Sequence, residues 1–307
     1  MRIAAMAAGA VGGYFGARLA AAGHDVFFIA RGSNLKAIKD NGLKIESVHG
    51  DLHLPKVNVT DDPKSVGPVD VILFAVKLWD TESAAELTRP MVNETTRVIT
   101  LQNGVDSPER IAPILGSDQT IGGVTYIATT IAGPGVIKHT SAFAKMSFGR
   151  ADKKADKTLD AFVAAGKAAK LDLDLSPDIE RERWQKFIFL TAMSGATATF
   201  RSSIGPIAAD PELLDFFRQL MEEAYAVGRA KGVALDRAVI DDRMAQVTGT
   251  IEPGMKASMA HDLERGNRLE LDWLSGKVRA LGRELGVPTP ASDTVCKVLK
   301  LHRMGSR

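Results

Sequence analysis

Hydrophobic positions in the first half of the chain fall into short apolar runs, separated by stretches with helical spacing. The runs have the length of buried strands, and strands that alternate with helices in this way predict a parallel sheet joined by crossover helices. The predicted strands are 3–6, 25–30, 43–45, 52–54, 57–59, 69–76, 97–101, 120–126 and 171–175, and the predicted helices are 11–22, 81–89, 107–115 and 152–169. A hairpin over 128–149, turning at Gly133-Pro134-Gly135, interrupts the alternation.

The pattern changes at Pro177 and becomes helical almost throughout the second half. We therefore predict an α/β Rossmann-type domain over 1–176, followed by an all-α domain over 177–307. This organisation favours a cofactor domain and a substrate domain, with the chemistry in a cleft between them. The predicted helices of the second half are 178–193, 211–231, 235–247, 254–265 and 269–285.

A glycine-containing turn connects the first predicted strand to the first predicted helix. Its sequence, Ala7-Ala8-Gly9-Ala10-Val11-Gly12, corresponds to the fingerprint G-x-G-x-x-G with alanine in place of the first glycine. Backbone N–H groups at the start of such a helix can bind a pyrophosphate. We therefore predict that residues 7–12 bind a dinucleotide.

Arg31 follows the second predicted strand, near the position where NAD-preferring sites carry an acidic residue that binds the ribose 2′-OH. A carboxylate would repel the 2′-phosphate of NADP, whereas a guanidinium pairs with it bidentately. The sequence therefore predicts NADP(H) as the cofactor. The alternative is that Arg31 is only a solvated charge at the end of a strand.

Two polar residues follow later strands of the same predicted sheet. Lys77 comes directly after the run 69–76, and Asn103 follows the run 97–101. Ligands of open α/β sheets bind outside the carboxyl ends of the strands, so we expect both side chains to face the cofactor and substrate. An ordinary lysine at a strand end and a simple Asn-Gly turn are the alternatives.

Lys186 lies where the predicted helix 178–193 becomes almost entirely apolar. Leu190 and Ser194 continue its face, four and eight residues further on. A lysine beside a desolvated face can have a shifted pKa and deliver a proton, and a solvated position on a helix surface is the alternative.

Composition limits the classes of protein to which the chain can belong. The 39 basic and 37 acidic residues give a net charge of +2, which predicts no nucleic-acid partner. No apolar stretch approaches the roughly 20 residues of a membrane span, and no signal peptide is recognised. The six histidines show no metal-ligand spacing, and the one cysteine, Cys296, is predicted to be buried. We therefore expect a cytoplasmic protein without a bound metal.

In this order and spacing, these motifs resemble the ketopantoate reductase (2-dehydropantoate 2-reductase) family. The resemblance implies a Rossmann domain followed by a helical domain. It also implies NADPH-dependent reduction of a 2-oxo acid to a 2-hydroxy acid, above all of 2-dehydropantoate to pantoate in pantothenate biosynthesis. The matching segments are 7–19, Arg31, Val76-Lys77, Gln102-Asn103-Gly104, Trp184-Gln185-Lys186, Ser258-Met259 and Glu270-Leu271-Asp272.

The resemblance also implies roles for individual residues. Lys186 would be the general acid, and Glu270 the carboxylate that holds the substrate hydroxyl or fixes the lysine. Arg31 would bind the 2′-phosphate of NADPH. The further implied contacts are those of residues 7–12, Lys77 and Asn103 with the cofactor, and those of Asn103, Ser258 and Ser194 with the substrate.

Three positions depart from the family pattern. Leu190 and Ser194 stand where members with established ketopantoate activity commonly carry asparagines, and Leu269 stands where a polar residue is common. Loss of a hydrogen-bond partner can strongly reduce selectivity for a hydroxylated substrate. A more apolar 2-oxo acid is therefore an alternative substrate, and a non-catalytic NADP(H)-sensing protein is an alternative function. The sequence leaves open whether the chain forms a homodimer.

Overall fold

The computed structural model describes residues 1–306, and within them the chain divides into two compact units. The first unit comprises Met1–Gln102 and Asp106–Ile179, and the second comprises Asn103–Val105 together with the residues from Glu180 onward. The first unit is built on a mostly parallel sheet with helices, and the second is helical. The predicted fold class is confirmed.

The first unit contains a ten-stranded sheet. Its strands are β1 (Arg2–Met6), β2 (Asp25–Ile29), β3 (Leu43–Ser47), β4 (Leu52–Leu54), β5 (Asn58–Thr60), β6 (Val71–Phe74), β7 (Arg97–Thr100), β8 (Thr120–Gly133), β9 (Val136–Gly149) and β10 (Asp172–Leu175). They lie in the order β4-β3-β9-β8-β7-β6-β1-β2-β5, with β10 also paired to β9. Among the described strands, β3 with β4 and β8 with β9 are antiparallel, and the other pairs are parallel.

Helices pack on both faces of the sheet. Successive side chains of a strand point to opposite faces, so one strand contributes to the core on either side. The helices of this unit are α1 (Ala10–Ala21), α2 (Gly32–Asn41), α3 (Thr81–Thr88), α4 (Ser107–Leu115) and α5 (Lys157–Ala168). In β1, Ile3 and Ala5 pack into one core with α1, α2 and α5, whereas Ala4 and Met6 pack into another core with α3 and α4. The near-continuous apolar character of the central strands follows from this burial on both faces.

The carboxyl ends of four central strands meet at one edge of the sheet. Met6 at the end of β1 lies opposite Ile29 of β2 and Phe74 of β6, and Phe74 lies opposite Thr100 of β7. The segments that follow these strands therefore begin at the same edge.

The first unit differs from the sequence prediction in two helices. Helix α2 was not predicted, because residues 32–41 present a mostly polar surface in which Ile38 is the buried residue. The helix predicted from Asp152 begins instead at Lys157, where the carboxylate of Asp156 accepts hydrogen bonds from the backbone N–H groups of the first turn.

The second unit is a bundle of helices around one apolar core that includes Trp184, Phe187 and Phe217. Its helices are α6 (Ile179–Thr199), α7 (Ile204–Ala209), α8 (Pro211–Ala230), α9 (Ala238–Gly249), α10 (Ser258–Glu264), α11 (Ser275–Leu285) and α12 (Pro290–Val298). Helices α7 and α12 were not predicted. The single helix predicted over 269–285 was wrong, because a short 3₁₀ turn at Leu271–Trp273 precedes α11.

A buried carboxylate fixes the start of α12. The carboxylate of Glu223 on α8 accepts hydrogen bonds from the backbone N–H groups of Ala291 and Ser292, at 2.6 and 2.8 Å. The amino terminus of α12 thus stabilises the buried negative charge. No helix within residues 1–306 combines the length and apolar character needed to cross a bilayer.

Candidate functional site

The turn after β1 leads directly into the amino terminus of α1. Gly9 caps this helix in an extended conformation, and the N–H groups of a first helical turn have no partners within the helix. A Cβ added at Gly9 would meet no atom within 4 Å. One added at Gly12 would collide with the carbonyl oxygen of Ala7 and lie 3.3 Å from Cβ of Ala75. Gly9 therefore leaves room for a ligand, whereas Gly12 allows the helix to approach the sheet.

Asn34 fixes this turn and was not identified as a site residue from the sequence. Its Nδ2 donates to the carbonyl oxygen of Ala8 at 3.1 Å, and its Oδ1 accepts from the backbone N–H of Gly135 at 2.8 Å. The backbone N–H of Ala8 donates to the carbonyl oxygen of Ile29 at 2.8 Å. Asn34 is therefore a positioning residue, and it was overlooked because it lies on the unpredicted helix α2.

Arg31 stands at the junction of β2 and α2. It is exposed, and it is the residue that caps α2, whose first residue is Gly32. Its guanidinium group forms no hydrogen bond or ion pair with another residue in the described part of the chain. An exposed guanidinium group next to a helix amino terminus suits a phosphate group.

Lys77 and Gln102 follow the neighbouring strands β6 and β7. Lys77 is exposed, and its ammonium group lies 5.5 Å from the centre of the Trp79 ring. Gln102 is buried, and its Nε2 donates to the carbonyl oxygen of Val76 at 3.0 Å and to the hydroxyl of Thr81 at 2.9 Å. Gln102 therefore fixes the segment that carries Lys77.

In the second unit, Lys186 and Asn103 come together although they are distant in sequence. Lys186 lies on α6 and is partly buried, and its Nζ donates to Oδ1 of Asn103 at 3.1 Å. Val105, two residues after Asn103, is buried in the apolar core of the helical unit. This anchor holds the segment 103–105 beside α6.

The ionisation of Lys186 is set by two opposing effects. Burial disfavours the charged ammonium group and lowers the pKa of Lys186 from 10.5 to about 8, while the negative charge of Glu270 opposes this shift. An amine with a pKa near 8 is protonated at neutral pH and gives up its proton more readily than an ordinary lysine. The pair Lys186 and Glu270 is therefore equipped for general acid catalysis.

Glu270 is held by its backbone at the start of the 3₁₀ turn. Its carbonyl oxygen accepts hydrogen bonds from the N–H groups of Trp273 and Leu274, both at 3.1 Å. The preceding residue, Leu269, is fully buried in the helical core, and its N–H donates to the carbonyl oxygen of Arg303 at 3.0 Å. Leu269 thus packs in the core and is not part of a polar surface around Glu270.

The other residues predicted to bind substrate have different environments. Ser258 is exposed as the first residue of α10, and its hydroxyl has no hydrogen-bond partner in residues 1–306. Ser194 is fully buried, and its hydroxyl also lacks a partner within the described residues. Leu190 is partly buried against the apolar core. The roles assigned to Ser258 and Ser194 stay predictions.

Cys296 lies outside this group of residues. It is buried, as predicted, and burial raises the pKa of its thiol to about 11. The thiol is therefore neutral at physiological pH and is not an activated nucleophile.

Family models match most of the chain. Residues 3–153 match ketopantoate reductase PanE/ApbA, and residues 178–303 match the C-terminal region of ketopantoate reductase PanE/ApbA. The two matched segments include every residue discussed above as a candidate for cofactor binding or catalysis.

Similar proteins match almost the whole chain. A 2-dehydropantoate 2-reductase of Mesorhizobium japonicum is 30% identical, over 98% of this chain and 97% of that protein. An uncharacterized oxidoreductase of Bacillus subtilis, YkpB, is 29% identical, over 98% of this chain and 99% of that protein.

A solved structure shares both the fold and part of the sequence. The PanE/ApbA family ketopantoate reductase from Ralstonia eutropha JMP134 superposes with a TM-score of 0.90 and 33% identity, covering 99% of this chain and 98% of that one. The chain belongs to the ketopantoate reductase family of NAD(P)-dependent oxidoreductases, which act on CH-OH and C=O groups.

Proposed function

We propose that this protein reduces a 2-oxo acid to the corresponding 2-hydroxy acid with NADPH, and that 2-dehydropantoate, which becomes pantoate, is its substrate. The observation that carries this proposal is the environment of Lys186. Its pKa is lowered to about 8 by burial, its ammonium group is bound to Asn103, and it lies within the electrostatic influence of Glu270.

Lys186 acts as the general acid in this reaction. When bound, the nicotinamide cofactor would supply a hydride to a ketone carbon, and negative charge would develop on the ketone oxygen. A cationic acid within hydrogen-bond reach of that oxygen stabilises the charge and donates the proton, which typically contributes about 10²–10⁴ in rate. Asn103 orients the ammonium group, and Glu270 favours its protonated form.

The cofactor is NADPH rather than NADH in this proposal. The space at Gly9 and the N–H groups at the start of α1 suit a pyrophosphate. Arg31 and the amino terminus of α2 suit a further phosphate group, which is the ribose 2′-phosphate in NADPH. Lys77 and Asn103 complete the proposed contacts with the cofactor, and Asn103 and Ser258 those with the substrate. Ser194, fully buried in the structure, would have to become accessible to join them.

A more apolar 2-oxo acid is the second candidate substrate, and Leu190 favours it. This side chain lies one helical turn beyond Lys186 and packs against the apolar core, so it offers no hydrogen bond to a substrate hydroxyl. Leu269 and Ser194 are both fully buried, so in this proposal discrimination for or against the substrate hydroxyl depends on Leu190.

The decisive experiment measures NADPH oxidation by its absorbance with a panel of 2-oxo acids. Two panel members form a matched pair: ketopantoate and 3,3-dimethyl-2-oxobutanoate, which lacks only the hydroxyl group. A site that binds the hydroxyl prefers ketopantoate by about 10⁴ or more in kcat/KM, whereas an apolar site discriminates by about 10² or less. NADPH binding without turnover of any 2-oxo acid would contradict the proposed function.

The role of Lys186 is tested in the same assay with Lys186→Met, which keeps much of the side-chain volume and removes the acid. We expect kcat to fall by about 10²–10⁴ while the Kd for NADPH is retained. Lys167→Met, at an exposed position of α5, is the matched control. An unchanged kcat in Lys186→Met would show that another group donates the proton.

A further inference from the structure

The second unit contains a cavity of about 350 Å³ that the proposed reaction does not use. A volume of this size lies in the range of small-molecule binding sites. Leu271 and Cys296 contribute neutral surface, since the raised pKa of Cys296 keeps its thiol protonated. Five cationic side chains line the cavity, and they are Arg279, Arg283, Lys297, Lys300 and Arg303.

The positive charge of this cavity exceeds the negative charge that the chain itself provides. The lining includes two carboxylates, Asp272 and Asp293. Asp293 is shared among three cations: its oxygens lie 2.6 Å from Nζ of Lys297 and 3.5 Å from the nearest nitrogens of Arg279 and Arg283. A local excess of cations attracts an anion and raises its concentration there.

Lys300 and Arg283 carry positive charges that are not held in close ion pairs within residues 1–306. The ammonium group of Lys300 forms no ion pair or hydrogen bond within residues 1–306. The side chain of Arg283 is 72% exposed, and its contact with Asp293 at 3.5 Å is long for a charge-assisted hydrogen bond. Both groups can therefore turn toward a ligand without breaking a close ion pair.

The same cavity borders the segment that carries Glu270. Arg303 holds this segment at two points: its carbonyl oxygen accepts from the N–H of Leu269 at 3.0 Å, and its guanidinium group lies 3.5 Å from the carboxylate of Asp272. Glu270 lies between these two points and influences the ionisation of Lys186. An anion that binds Arg303 would compete with Asp272 and weaken the hold on the segment.

We propose that this cavity is a regulatory site for a small polyanion with at least two phosphate or carboxylate charges, and that occupancy lowers the reductase activity. The regulatory part rests on the proposed function, whereas the binding part does not. Guanidinium groups pair with phosphate and carboxylate oxygens alike, so the experiment includes one probe of each kind.

Binding is measured by isothermal titration calorimetry with inorganic pyrophosphate and, separately, with citrate. Saturating NADP⁺ is present throughout so that the nucleotide site does not take up the probe, and sodium chloride keeps the ionic strength constant. We expect saturable binding of at least one probe. If the measured heats depend only on ionic strength and neither probe gives a saturating isotherm, the proposal is overturned.

A double variant locates the binding in the cavity. In Arg283→Gln with Lys300→Gln, two exposed cations are lost without disturbing the core, and we expect the affinity to fall by at least about tenfold. Lys167→Gln on α5 of the first unit is the control and keeps the wild-type affinity. Equal affinity in the double variant and the wild type would place the bound anion elsewhere and overturn the proposal.

The regulatory part is tested by steady-state kinetics with the probe that binds. We expect kcat to fall by at least about fivefold at saturation in the wild type and to stay unchanged in the double variant. Binding without any change in kcat would overturn the regulatory part. Absence of all 2-oxo acid reduction would overturn the proposed function together with this part, and the calorimetric result would still decide whether the site exists.

Discussion

Lys186 shows how a single residue can have a shifted pKa through two opposing effects. Burial lowers its pKa to about 8, and the charge of Glu270 raises it from an even lower value. A general acid works only while it carries its proton. We therefore expect kcat to be constant at neutral pH and to fall as the pH rises through about 8, in a profile measured at saturating substrate.

The variant Glu270→Gln tests the cause of this profile. Because the Glu270 carboxylate raises the pKa of Lys186, its removal should lower that pKa further and move the descending limb of the profile to lower pH. Glu264→Gln, an exposed carboxylate on α10, is the control and should leave the limb in place. An unmoved limb in Glu270→Gln would mean that Lys186 does not set the profile.

The proposed preference for NADPH depends on one side chain, that of Arg31. Its exposed guanidinium group next to α2 is the proposed partner of the 2′-phosphate, which NADH lacks. We expect Arg31→Gln to raise the KM for NADPH by about 10–100-fold, as for loss of a charged hydrogen bond, and to leave the KM for NADH unchanged. Lys39→Gln, an exposed cation on the same helix, should change neither value. Equal losses with both cofactors would assign Arg31 a structural role.

At the scale of elements, the two glycines between β1 and the first turn of α1, Gly9 and Gly12, have different roles. Gly12 is required for packing, because an added Cβ would collide with the carbonyl oxygen of Ala7. Gly9 faces open space in the structure, so its small size is not needed for the fold, and in the proposed function it leaves room for the cofactor. Two alanine substitutions should therefore have different consequences.

We expect Gly12→Ala to lower the free energy of unfolding by about 1–3 kcal/mol, the usual cost of overpacking. Gly9→Ala should leave the unfolding temperature unchanged and weaken NADPH binding, because a methyl group would occupy the space that the pyrophosphate approaches. Thermal unfolding and NADPH titration measure the two effects. Retained NADPH affinity in Gly9→Ala would place the pyrophosphate away from this turn.

The elements that the sequence predicted well are those with strong local signals. Helix α4 begins at Ser107 and ends at Leu115, as predicted, because Pro108 marks its start and Gly116 its end. Helix α2 lacked such a signal: its surface is mostly polar, and burial of Ile38 against the sheet stabilises it. The break before α11 depends on the hydrogen bonds of the Glu270 carbonyl oxygen, which no periodicity of side chains reveals.

At the scale of the whole molecule, the candidate site depends on contacts between distant parts of the chain. Motifs and the family resemblance identified Lys186, Asn103 and Glu270 in advance, but not their connections. The bond between Lys186 and Asn103 joins residues 83 positions apart, and the shifted pKa of Lys186 requires both burial and Glu270. The roles of Asn34 and Arg303 follow from backbone contacts, which residue types do not encode.

The path of the chain explains how Asn103 comes to accept a hydrogen bond from Lys186. Strand β7 ends at Thr100 in the first unit, yet Asn103–Val105 belong to the second unit, in which Val105 is buried. A short segment of the helical unit thus lies within the sequence of the first unit. If Val105 anchors this segment, loosening it should displace Asn103 and disturb its hydrogen bond with Lys186.

The variant Val105→Ala tests this organisation. We expect it to lower the free energy of unfolding by about 1–3 kcal/mol, as for a truncated core side chain, and to reduce kcat measured at saturating NADPH and 2-oxo acid. Val98→Ala, at a fully buried position of β7, is the matched control, which loses comparable stability but keeps its kcat. Because both variants remove the same atoms from a core, a loss of kcat confined to Val105→Ala would reflect the displaced Asn103 and not lower stability. Equal kcat values in the two variants would show that Asn103 reaches Lys186 without this anchor.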